Sequence, residues 1–144
     1  MQIDGKCHCG NVSFTAEIDP ERVLACHCTD CQALSGAPFR AIVPVPIEKF
    51  ELRGETQRYI KVADSGNRRA QVFCPTCATP LFATAPENAT AVVIRLGCVR
   101  QRAELVPRSQ IFQHSAVPWL RDMMDSAPAT PLEAKPASTR APAR

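Results

Sequence analysis

Seven of the eight cysteines in this 144-residue chain stand in three short clusters. The clusters are Cys7 and Cys9 in CHCG, Cys26, Cys28 and Cys31 in CHCTDC, and Cys74 and Cys77 in CPTC. The spacings Cys-x-Cys and Cys-x-x-Cys suit a shared metal ion, whereas cysteines this close together seldom form a disulfide with each other. The opening MQIDGKC has no apolar segment of the kind found in secretion signals, so we expect a reducing, cytoplasmic location with free thiols. The pattern therefore predicts metal binding.

The outer two clusters together have the composition of a structural zinc site. Cys74 and Cys77 have the spacing of a zinc knuckle, a tight turn that directs two thiolates at one ion. If the chain around Cys7 and Cys9 is extended, both side chains project to one face and His8 points away. We predict that these four cysteines form a closed Cys₄ zinc site that ties the first strand to a later hairpin.

The middle cluster leaves three ligands, Cys26, Cys28 and Cys31, without an evident fourth. Three protein ligands and one exchangeable position are typical of a catalytic zinc. The alternative is a second closed site in which His27, Cys98 or another residue supplies the fourth ligand, and the spacing alone does not decide between the two. His27 is flanked by ligands and should face away, while Cys98 follows the apolar run AVVIRLG and is interpreted as a small buried hydrophobic residue. The spacings do not match the usual iron–sulfur motifs, so zinc is favoured.

The elements that position these clusters are predicted to be strands. In NVSFTAEI, apolar residues alternate with polar ones, as in a half-buried strand. Similar short, β-branched runs follow at RVLAC, FRAIVPV, QRYIKV, AQVF and AVVIRLG, separated by glycine and proline. These runs predict a mainly all-β, antiparallel domain with one or two short helices, at TDCQALS and at PWLRDMMD, where Pro118 would take the first helical position.

Composition divides the chain into a domain over residues 1–125 and a tail over 126–144. The tail is rich in alanine and proline and is predicted to be disordered. It carries Lys135, Arg140 and Arg144 against Glu133, so +2 of the net charge of +3 belongs to it and the body is nearly neutral. No run of about 18 apolar residues is present. We therefore expect no membrane span and no nucleic-acid partner.

Three motifs in fixed order resemble one known family. They are Cys-His-Cys-Gly, then Cys-His-Cys-Thr-Asp-Cys-Gln-x-x-Ser-Gly, then Phe-Cys-x-x-Cys, followed by a late Trp after a Pro. Over residues 5–121 the chain resembles the glutathione-dependent formaldehyde-activating enzymes, a family that includes centromere protein V. The resemblance implies a tent-like arrangement of small antiparallel sheets and two zinc ions per chain. It implies that Cys7, Cys9, Cys74 and Cys77 hold the structural zinc, and that Cys26, Cys28 and Cys31 hold the catalytic one.

The implied activity is that of a carbon–sulfur lyase, the addition of glutathione to formaldehyde to give S-hydroxymethylglutathione. The expected partners are thus a small thiol and a small aldehyde. The alternative is a non-catalytic, zinc-stabilised binding module. Around the middle cluster, Gln32, Ser35 and Gly36 are interpreted as turn and cap residues rather than substrate ligands, and Trp119 as a core residue rather than a pocket residue.

Overall fold

A computed structural model describes residues 1–63 and 66–125 of the chain. Its strands and helices are, in chain order, β1 Gln2–Lys6, β2 Ser13–Glu17, β3 Leu24–Cys26, α1 Thr29–Ser35, β4 Arg40–Pro46, β5 Phe50–Arg53, β6 Gln57–Val62, β7 Arg68–Phe73, β8 Pro80–Thr84, β9 Ala91–Arg95, β10 Ser109–Ile111 and α2 Leu120–Asp125. Short 3-10 turns occupy Pro20–Arg22, Ile47–Lys49, Leu96–Cys98 and Gln113–Ser115. The mainly β prediction is confirmed. The predicted tail, 126–144, lies outside the described residues, so its disorder and the domain boundary stay predictions.

The strands form two sheets. The smaller has the order β1-β2-β5, and the larger has the order β10-β3-β4-β9-β8-β7-β6. All pairs are antiparallel except β10 with β3, which run parallel. Each of the six predicted strand runs corresponds to a strand, whereas β1, β5, β8 and β10 were not predicted.

The core lies between the two sheets. Alternation along β2 is confirmed, because Phe14 and Ala16 are buried while the residues between them are more exposed. The rings of Phe14, Phe50 and Phe82 connect the small sheet to the large one, with centroid distances of 5.5 Å and 4.9 Å for successive pairs. Aromatic contacts of this kind add to the burial of apolar area in holding the layers together.

The other face of the large sheet carries polar groups. Residues directly opposite each other in antiparallel strands project to the same side. The pairs Cys26 with Arg40, Ile42 with Arg95, and Tyr59 with Gln71 are opposite in the register, and the pairings through β8 and β9 place all three on one side. We call this side the polar face.

Helix α1 lies over part of the polar face. It contacts β4, and Asp30 in its first turn forms an ion pair with Lys61 of β6. The helix begins where predicted. Helix α2, in contrast, begins at Leu120, so the prediction of Pro118 at the first helical position is wrong and Pro118 belongs to the preceding turn. None of the described helices is long and apolar enough to cross a membrane.

Candidate metal centres

Four cysteine sulfurs from two hairpin turns converge in what we call the four-cysteine cluster. Cys7 and Cys9 lie in the turn between β1 and β2, and Cys74 and Cys77 lie in the turn between β7 and β8. All four sulfurs lie within 4.8 Å of one another. The predicted meeting of the outer two clusters is thus present in the fold.

The route by which Cys7 and Cys9 meet differs from the prediction. Their segment is a tight turn and not an extended strand, with the Gly10 amide donating to the Cys7 carbonyl at 3.0 Å. Gly10 has φ of +86°, a left-handed conformation that favours glycine. The turn itself, and not side-chain alternation, brings the two sulfurs to 3.4 Å.

The second turn is closed in a similar way. The Ala78 amide donates to the Cys74 carbonyl at 2.9 Å, and Ala78 takes a left-handed conformation with φ of +57°. Hydrogen bonds also join the two turns, since the His8 amide donates to Thr79 Oγ1 at 3.0 Å. The four sulfurs are therefore held by backbone that is fixed on both sides.

The sulfur spacing fits a tetrahedral zinc ion. Four sulfurs at about 2.3 Å from a central ion are about 3.8 Å from one another. The Cys9 and Cys74 sulfurs are 3.7 Å apart, and the Cys7 and Cys9 sulfurs are 3.4 Å apart. The donor set, four thiols, is the usual one for structural zinc.

Three further sulfurs form what we call the three-cysteine cluster. Cys26 ends β3, Cys28 is the N-cap residue of α1, and Cys31 lies in the first turn of that helix. The Cys28 sulfur accepts a hydrogen bond from the Cys31 amide at 3.4 Å and lies 3.5 Å from the Cys26 sulfur. The junction of strand and helix therefore explains why three cysteines occur within six residues.

The electrostatics of the three-cysteine cluster also favour a cation. Burial and the neighbouring Cys28 and Cys26 thiols raise the pKa of Cys31 to about 12. Three thiolates this close repel one another, so they do not all ionise at neutral pH unless a positive ion compensates them. The arrangement fits a divalent ion that binds thiolates.

In the described part of the chain, no fourth Cys, His, Asp or Glu joins the three-cysteine cluster. His27 is buried and faces away, with its Nε2 2.8 Å from Gln110 Oε1. Cys98 is half-buried against the core, where its thiol donates to the Arg95 carbonyl at 3.0 Å. Neither of the two residues weighed as a fourth ligand takes that role.

The polar residues after the third cysteine have structural roles, as predicted. Gln32 donates to the carbonyls of His27 and Ser115 at 2.7 Å and 2.8 Å, and thus fixes the backbone beside the cluster. Ser35 donates to the Cys31 carbonyl, and Gly36 is the left-handed C-cap of α1.

The prediction that Trp119 is a core residue is wrong. Its side chain is 51% exposed, so it is not a core residue. It follows β10, the edge strand of the large sheet, and immediately precedes α2. The residues of β10 are themselves exposed, so the segment that follows this edge strand lies at the periphery.

Two arginines beside the three-cysteine cluster were not predicted. Arg40 and Arg95 are 6% and 7% exposed, and both donate to Gln71 Oε1, at 3.3 Å and 2.8 Å. Burial, with a further contribution from Arg40, lowers the pKa of Arg95 to about 10, so it stays cationic at neutral pH. The available signal was a charged residue inside each of two apolar runs, FRAIVPV and AVVIRLG.

Comparison with known proteins agrees with this architecture. The family model described as glutathione-dependent formaldehyde-activating enzyme matches residues 2–115. The chain belongs to this family. Membership confirms the resemblance seen in the motifs, and it covers both turns of the four-cysteine cluster as well as the three-cysteine cluster.

The chain is also similar to a solved structure, in fold more than in sequence. A crystal structure of a Rhodobacter sphaeroides protein superposes with a TM-score of 0.57, at 16% sequence identity, covering 74% of this chain and 98% of that one. This likeness shows that the fold is shared. No curated protein matches the chain significantly.

Proposed function

We propose that this chain is a zinc-dependent enzyme that forms and breaks the carbon–sulfur bond between a glutathione-like thiol and a small aldehyde. The observation that carries the proposal is the three-cysteine cluster, with three convergent sulfurs and no fourth protein donor among the described residues. Family membership supports glutathione and formaldehyde as the substrates. This activity is that of a carbon–sulfur lyase such as S-hydroxymethylglutathione synthase.

The two clusters have different proposed roles. Cys7, Cys9, Cys74 and Cys77 would hold a structural zinc ion, because four protein ligands complete a tetrahedral site. Cys26, Cys28 and Cys31 would hold the catalytic one, giving two zinc ions per chain. A zinc ion there supplies Lewis acidity that favours the thiolate form of an incoming thiol.

The proposed reaction balances without a further reactant. The thiol sulfur adds to the carbonyl carbon, the π bond of the carbonyl opens, and the proton lost by the thiol ends on the new hydroxyl oxygen. The reverse reaction returns that proton to the leaving sulfur. No oxidant or reductant is consumed.

The protein's own contribution is to position the reactants and to favour negative charge. The hydrogen bonds from Gln32 fix the His27 carbonyl, between Cys26 and Cys28, and connect it to Ser115 of the late segment. Arg40 and Arg95 project from the same face as Cys26. Two fixed positive charges in a site largely removed from water lower the pKa of a nearby thiol and stabilise an alkoxide that forms beside it.

Exchange NMR tests this function. We expect the wild-type protein to speed the exchange between the free and adduct signals of glutathione and formaldehyde above the rate measured without protein. Cys28→Ser should lose this acceleration because it removes a ligand of the three-cysteine cluster. Cys98→Ser is the matched control and should keep it, since Cys98 lies outside both clusters.

The alternative, a binding module without catalysis, predicts a different result. Exchange that is equally slow with wild-type protein and without it, for glutathione and for other small thiols, would contradict the enzyme proposal and favour the module.

A further inference from the structure

The polar face contains two buried positive charges for which the described residues supply no carboxylate partner. Six ion pairs occur in the described part of the chain, and neither Arg40 nor Arg95 takes part in any of them. Their shared acceptor, Gln71 Oε1, is a neutral amide oxygen. A buried charge normally requires a charged or coordinating partner, so this pair of guanidinium groups favours an anion beside it.

The thiolates of the three-cysteine cluster neutralise part of the positive charge of Arg40 and Arg95. Three thiolates around a divalent ion carry a net charge of −1, whereas the two guanidinium groups carry +2. Lys61 adds nothing to this balance, because it is paired with Asp30. Before a thiolate substrate binds, the site therefore retains one positive charge and favours an anionic ligand.

A cavity of about 280 Å³ lies next to these guanidinium groups. Its wall includes Leu34, one helical turn after Cys31, and the aromatic residue Tyr59. A concave, mainly apolar site with a few convergent polar groups is typical of small-molecule binding. Paired arginines present forked donors that match the two oxygens of a carboxylate.

We propose that Arg40 and Arg95 bind a carboxylate group of the substrate in this cavity, beside the three-cysteine cluster. The assignment of that carboxylate to a substrate rests on the proposed function. It makes the substrate an anionic small molecule whose carboxylate reaches this cavity while its sulfur or carbonyl carbon lies at the three-cysteine cluster. The carboxylate can belong to the thiol or to the aldehyde, and the two cases are separated by experiment.

Calorimetric binding to the zinc-loaded protein tests the thiol case. Mercaptoacetate and mercaptoethanol have similar size and the same thiol, but only the first carries a carboxylate. We expect mercaptoacetate to bind at least about tenfold more tightly, because hydrogen bonds to charged groups are stronger than neutral ones. Arg95→Gln and Arg40→Gln should each reduce this preference to about twofold or less.

Matched controls separate this inference from loss of the fold or of the metal. Arg53→Gln removes the same charge from an exposed position in the small sheet and should keep the full preference. Arg95→Lys keeps the charge but not the forked donor, so an intermediate preference is expected. Zinc content and melting temperature are measured for each variant, and loss of zinc from both Arg95→Gln and Arg40→Gln would instead show that the arginines compensate thiolates only, which overturns the proposal.

The aldehyde case uses a neutral thiol. If the carboxylate belongs to the aldehyde, mercaptoethanol should exchange faster with glyoxylate than with formaldehyde, each compared with its own rate without protein, and Arg95→Gln should remove the difference. The carboxylate site would be overturned if the wild-type protein bound mercaptoacetate and mercaptoethanol equally tightly and also accelerated exchange equally with glyoxylate and with formaldehyde. A clear carboxylate preference without any acceleration of exchange would retain the binding site and contradict the proposed function, so the two failures are distinguishable.

Discussion

We expect the double variant Cys9→Ser/Cys77→Ser to unfold at a lower temperature than Cys28→Ser/Cys31→Ser. Each variant removes two cysteines that are not fully buried from one cluster and leaves the buried ligands in place. The Ser at position 28 can still cap α1, because a hydroxyl oxygen accepts the same backbone hydrogen bond. The difference in melting temperature therefore reports the loss of each metal ion and not the free-energy cost of substituting buried residues.

The expected difference comes from the length of chain that each cluster closes. Cys9 and Cys74 are 65 residues apart in the chain, whereas Cys26 and Cys31 are only five residues apart. A metal ion stabilises a fold only to the extent that it binds the folded chain better than the unfolded one. The unfolded CHCTDC segment can still gather its three thiolates, but the four-cysteine cluster would require closure of a long loop.

Loop-closure entropy sets the magnitude. The cost grows as three halves of RT times the logarithm of loop length, so 65 residues against five differ by about 2 kcal/mol. For a domain of this size, each 1 kcal/mol shifts the melting temperature by about 3 to 6 °C. The four-cysteine variant should therefore melt about 6 to 12 °C below the three-cysteine variant.

Circular dichroism melts at a fixed free zinc concentration, with zinc content measured for each sample, provide the comparison. Cys98→Ser serves as the control for substitution of a cysteine outside the clusters. Equal melting temperatures for the two double variants, or a lower one for Cys28→Ser/Cys31→Ser, would refute the assignment of the structural role to the four-cysteine cluster.

Two further predictions concern residues near the clusters. Burial raises the pKa of Cys98 to about 11, so its thiol stays protonated at pH 8, and thiolate formation increases only as the pH rises towards that value. We expect Cys98 in the zinc-loaded protein to react slowly with a disulfide reagent at pH 8, with zinc content unchanged in Cys98→Ser; rapid labelling of Cys98 or loss of zinc would contradict this. A Cβ atom at Gly5 would lie 2.3 Å from the Phe14 ring and 2.8 Å from the Cys98 carbonyl oxygen, so Gly5→Ala should destabilise the domain by about 1 to 3 kcal/mol in chemical denaturation. An unchanged midpoint and slope would show that this contact relaxes without cost.

The sequence predicted the parts of the fold that have a local signal. Alternation identified β2, and β-branched runs identified the central strands of the large sheet. The edge strand β10 has three exposed residues and no alternation, and β1 contains Asp4 and Gly5, which occur infrequently in strands. β8 begins at Pro80, one of the prolines that separate the predicted strand runs, although proline is tolerated at the first residue of a strand.

The candidate site shows the same division. Cysteine spacing predicted which sulfurs converge, because Cys26, Cys28 and Cys31 lie within six residues and the other two clusters are pairs that complete each other. Which groups stand beside those sulfurs depends on strand order and register, and these could not be obtained from spacing. Arg40 and Arg95 are 55 residues apart in the chain and meet only because β4 pairs with β9. The exposure of Trp119 follows from the position of β10 at the edge of the large sheet.

Cadmium-113 NMR of the cadmium-substituted protein tests most directly whether the three-cysteine cluster accepts an external thiol. The cadmium shift depends on the number of coordinating sulfurs, so two resonances are expected, one for four sulfurs and one for three. Added glutathione should move the second resonance into the four-sulfur range and leave the first unchanged. Two four-sulfur resonances before any thiol is added, or a second resonance that glutathione does not move, would contradict the proposed catalytic site.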